Sequence, residues 1–97
     1  MKRKYLFFSL LLAGSCLYAQ EWPAVRPEAR PATRWWWLGS AVDATNLTYN
    51  LEEYAKAGLG GVEITPIYGV QGNDKNNLPF LSPQWMNMLQ HTEAEGK

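Results

Sequence analysis

Two short apolar runs, "RWWWL" at 34–38 and "GGVEITPI" at 60–67, are separated by about twenty residues that carry their own helical stripe. This spacing constrains the fold more than any other feature. A hairpin needs only two to five residues between its strands, whereas a crossover that carries a helix joins strands running in the same direction. Two parallel strands with an intervening helix are therefore expected. Arg34–Leu38 has no polar break after its first residue, so burial on both faces is expected, as in an interior parallel strand.

The linking segment begins "VDATNLTYNLEEYAKAGLGG". Asp43 is placed to cap a helix. Leu47, Leu51, Tyr54 and Ala55 follow at i, i+4, i+7 and i+8, which puts them on one face. Glu52, Glu53 and Lys56 lie off that face, and Gly58 suits a left-handed turn that ends the helix. After the second strand, 68–80 ("YGVQGNDKNNLPF") reads as a polar loop. Ser82 then caps a second helix with Pro83 in its first turn, and Trp85, Leu89 and Thr92 line one side of it. His91 falls off that stripe and reads as a surface residue.

The N-terminus has a different character. Lys2, Arg3 and Lys4 precede a short apolar run from Tyr5 to Ala13, and Leu17-Tyr18-Ala19 approximates a small-residue cleavage site. Residues 1–19 therefore read as an export signal, too short to span a bilayer, and the product is expected in the periplasm or medium. A lipidated outer-membrane form would use Cys16, although the usual leucine three residues upstream is missing. Residues 20–33 hold Pro23, Pro27 and Pro31 and read as an extended lead-in. Cys16 is the only cysteine in the 97 residues, so a chain cut after Ala19 has no disulfide and no thiolate chemistry. That chain has six basic and nine acidic side chains with no basic cluster. This composition argues against a nucleic-acid partner, whose binding rests on phosphate neutralisation.

Three blocks in order, "RPATRWWWLGSAVD", "AGLGGVEITPIYGV" and "LPFLSPQWMNMLQHT", resemble the N-terminal part of glycoside hydrolase family 106, the α-L-rhamnosidases. The resemblance spans about residues 22–97. It implies an α/β fold in which 34–97 form the first two βα units of an incomplete (β/α)₈ barrel, a domain that takes about 250 residues. It also implies calcium-dependent, inverting hydrolysis of terminal α-L-rhamnose, with the acid and base expected beyond Lys97. Inversion needs two carboxyl groups on either side of the scissile bond. The expected sugar contacts are Trp37, nearest the C-terminal end of the first strand, Glu63, an acid in an apolar strand, and Tyr68, just past the second strand. For Glu63 the competing reading is an ion pair with Arg34. "QGNDKNN" at 71–77 lacks the spacing of a calcium loop and reads as solvated. The alternatives to a hydrolase are a non-catalytic carbohydrate-binding protein and a truncated frame without function.

Overall fold

The computed structural model describes residues 22–97. The expected export signal, its expected cleavage site and Cys16 lie outside the described residues. The expected order of elements is found. Strand β1 (Ala32–Leu38) is followed by helix α1 (Ala44–Lys56), strand β2 (Gly61–Ile67) and helix α2 (Pro83–Glu95). The strands pair in parallel, with Ala32 opposite Gly61 and Leu38 opposite Ile67. The lead-in is not wholly extended. Pro27–Ala29 form a 3₁₀ turn, and β1 starts at Ala32, two residues earlier than the apolar run suggests.

Both helices begin where their capping residues place them. The Asp43 side chain accepts a hydrogen bond from the Asn46 amide at 2.9 Å, and the Ser82 hydroxyl accepts from the Trp85 amide at 3.3 Å. These caps satisfy N–H groups that the first helical turn leaves free. Gly58 ends α1 at φ +92°. The Gly58 amide donates to the Ala55 carbonyl and the Leu59 amide donates back to Tyr54, the paired bonds of a Schellman turn.

The core lies on one side of the sheet. Trp35 and Trp37 of β1 pack with Leu47 of α1 and Trp85 of α2, and Leu51, Tyr54, Val62, Ile64 and Leu89 close around them. The rings meet edge to face. Tyr54 contacts Trp35, Trp35 contacts Trp37, Trp37 contacts Trp85 and Trp85 contacts Phe80, with centroids 4.9–6.0 Å apart. Aromatic rings favour this arrangement because positive edges meet negative faces.

Two expectations are corrected. The described residues do not form a (β/α)₈ barrel: their sheet has two strands in the order β1-β2, with two helices. Nor is β1 buried on both faces. Its side chains alternate, so that Trp35 and Trp37 point into the core while Trp36 is 60% exposed and Leu38 is exposed beside it. An unbroken apolar run does not distinguish one covered face from two, because successive strand residues always point to opposite sides.

Candidate functional site at the strand ends

Open parallel α/β sheets place ligands outside the carboxyl ends of their strands, where the loops leave the sheet. Here that position is an open cleft of about 750 Å³. Gly39 and Ser40 leave β1 on one side of it. Pro66, Ile67, Tyr68 and Gly69 leave β2 on the other, and Asp74 and Asn77 to Phe80 come from the following loop. Most of these groups are apolar, with a few polar side chains among them.

The cleft is held open by a specific backbone arrangement. The Gly39 amide donates to the Ile67 and Tyr68 carbonyls, and the Leu78 amide donates to the Gly39 carbonyl. The end of β1 is therefore tied both to the end of β2 and to the returning loop. Gly39 and Ser40 both take positive φ, +63° and +49°. Ser40 is buried, and its hydroxyl accepts a hydrogen bond from the Trp85 indole N–H at 2.9 Å. A left-handed serine is uncommon, and this one is fixed by a buried bond to α2. Phe80 rests edge-on against the same Trp85 ring. One side chain thus positions both the end of β1 and the rim of the cleft.

Asn77 inserts its side chain between the two strand ends. A Cβ added at Gly39 would overlap the Asn77 carboxamide, and one at Gly69 would come 2.6 Å from Asn77 Nδ2. Only glycine just past each strand leaves room for it. Asn77 Oδ1 is sealed from solvent with no hydrogen-bond partner.

The three sugar contacts expected from the sequence are not brought together. Tyr68 lines the cleft and is 84% exposed. Trp37 is a correction: at 1% exposed it lies in the core between Trp35 and Trp85, with no ring face left for a ligand. Its inward position follows from the strand alternation that turns Trp36 outward. Glu63 projects from the uncovered face of β2 with its side chain 70% exposed, 3.8 Å from Arg34, as its competing reading has it. Arg34 is its direct partner in the register, so the ion-pair geometry is present. Both groups are solvated, and such pairs contribute about 0–1 kcal/mol. Glu63 also lies roughly 13 Å back along β2 from Ile67, at about 3.3 Å per residue.

Sequence reasoning missed Asn77, Phe80 and Ser40. Asn77 sits in a loop read as solvated, and the one signal for it was the glycine just past each strand end. His91 also differs from its surface reading. It is half-buried and shares a 2.8 Å hydrogen bond with Thr48, joining α2 to α1.

Among the described residues no three His, Cys, Asp or Glu side chains come together as a metal site. Calcium takes six to eight oxygen ligands, commonly with several carboxylates, and Asp74 is the one carboxylate that lines the cleft. The described residues alone do not supply such a ligand set for the calcium that the resemblance implies. No helix among them is long and apolar enough to cross a membrane.

Compared with family models, curated proteins and solved structures, the chain matches none.

Proposed function

We propose that the strand-end cleft binds a carbohydrate, and that the chain belongs to a glycoside hydrolase acting on terminal α-L-rhamnose. The observation that carries this reading is Tyr68, a nearly free aromatic ring at the mouth of a mostly apolar cleft that also holds an amide and one carboxylate. Sugars present flat C–H faces to aromatic rings and hydroxyls to a few fixed polar groups. Rhamnose is a 6-deoxy sugar, so one end of it is a methyl group. Pro66, Pro79 and Phe80 offer an apolar wall for that methyl. The three sequence blocks that resemble the rhamnosidases support the same substrate.

A second reading is favoured by one observation. Inverting hydrolysis needs two carboxyl groups about 6.5–9.5 Å apart, and Asp74 is the one carboxylate lining the cleft among the described residues. A carbohydrate-binding protein without catalysis needs only the aromatic wall and the amide. Incubating the protein purified from its natural host, with whatever residues follow Lys97, with an aryl α-L-rhamnoside separates the readings. Release of the aryl alcohol supports the hydrolase. Saturable binding without release supports the binding protein, and neither result leaves no sugar function for the cleft.

The protein is also proposed to be exported, on the pattern of Lys2 to Ala19. N-terminal sequencing of the product from its natural host should start at Gln20. A start at Met1 would contradict the signal.

A further inference from the structure

We infer that Asn77 is the specificity-determining polar contact of the cleft, donating from Nδ2 to a ring hydroxyl of the bound sugar; this rests on the carbohydrate reading of the cleft. The inference begins with an energetic oddity. Asn77 Oδ1 is buried without a partner, and an unpaired buried acceptor destabilises a fold. An apolar side chain in its place would avoid that cost. Two glycines leave the space for the carboxamide, one just past each strand. The backbone that carries it is held: the Asn77 amide donates to the Asp74 carbonyl and the Leu78 amide to the Gly39 carbonyl.

Of the two amide atoms, Oδ1 is sealed off and Nδ2 is the nearer to Gly69, and Asn77 lines the cleft together with both glycines. Tyr68 precedes Gly69 in the chain, so the free ring and the amide share one wall. A sugar stacked on Tyr68 would present the hydroxyls on its edge to a donor already fixed in place. Fixing that donor before binding removes the entropy of ordering a flexible side chain.

The test is calorimetric titration of the purified protein with methyl α-L-rhamnoside and its monodeoxy analogues. Asn77→Ala should weaken binding about two- to tenfold, the range for one neutral hydrogen bond, while the melting temperature stays level or rises because the unpaired Oδ1 is gone. Wild type should lose the same factor with one particular deoxy analogue, and Asn77→Ala should not distinguish that analogue from the parent sugar. Gly69→Ala should weaken wild-type binding by pushing the amide aside, yet have no further effect in the Asn77→Ala background. A merely structural Asn77 would produce neither the analogue-specific loss nor the non-additivity. Wild-type binding that Asn77→Ala leaves unchanged overturns this inference alone. If the wild type does not bind at all, the carbohydrate reading falls and this inference falls with it.

Discussion

Ser40 shows how one small residue links the core to the cleft. Its hydroxyl takes the indole N–H of Trp85, 45 positions later in the chain, and its backbone holds a left-handed turn at the end of β1. Ser40→Ala would leave that N–H buried and unpaired, and should lower the unfolding free energy by about 1–3 kcal/mol in denaturant titrations. No local pattern could reveal this bond, because its partner is far away in sequence. Asp43 is the opposite case. Its capping role was legible because the helical stripe starts four residues later. The Asn46 amide holds the Asp43 carboxyl below its ordinary range, with the Asn46 side chain adding to the effect. A depressed carboxylate pKa stabilises the fold above the ordinary range, and that contribution is lost as pH falls through the folded value. Between about pH 5 and pH 2 the wild-type melting temperature should therefore fall more steeply than that of Asp43→Asn. Parallel curves would show that the cap does not contribute to acid sensitivity.

The elements were more legible than the contacts of single residues, for a physical reason. Caps, terminating glycines and the 3.6-residue stripe act within one or two turns, so they can be read without knowing the fold. Gly58 is an example. Its left-handed φ closes the Schellman turn, and a Cβ there would meet nothing within 4 Å. Gly58→Ala should then cost about 1–2 kcal/mol from backbone strain alone, measured by thermal or chemical unfolding. A loss well above that would mean a steric clash that the open surroundings do not offer. The faces of β1 were less legible. "WWWL" has no polar residue to mark the outward side, so the run was consistent with burial on two faces while only Trp35 and Trp37 are covered. Glu63 marked the outward face of β2. As an acid in an apolar strand it pointed to a site; its position opposite Arg34 explains it as a solvated cross-strand pair.

In the molecule as a whole, the core and the cleft occupy different parts of one aromatic series. Tyr54, Trp35, Trp37 and Trp85 run through the interior, and Phe80 ends the series at the cleft rim. The tryptophan block therefore builds the support on which the cleft rests, and Tyr68 is the more exposed of the two rings that line it. Its position just past β2 was legible from the strand boundary alone. Asn77 was not, because its role depends on two glycines that become neighbours only when the strands pair. The most direct measurement is the affinity of the purified protein for methyl α-L-rhamnoside, compared with that of Tyr68→Ala and with methyl α-D-glucoside as the control ligand. A stacked sugar predicts saturable rhamnoside binding, a weaker response to the glucoside, and a loss of about tenfold or more in the variant, since aromatic contacts carry much of such binding. Equal affinity in wild type and Tyr68→Ala, or no preference between the two glycosides, would contradict a rhamnose-binding cleft at the strand ends.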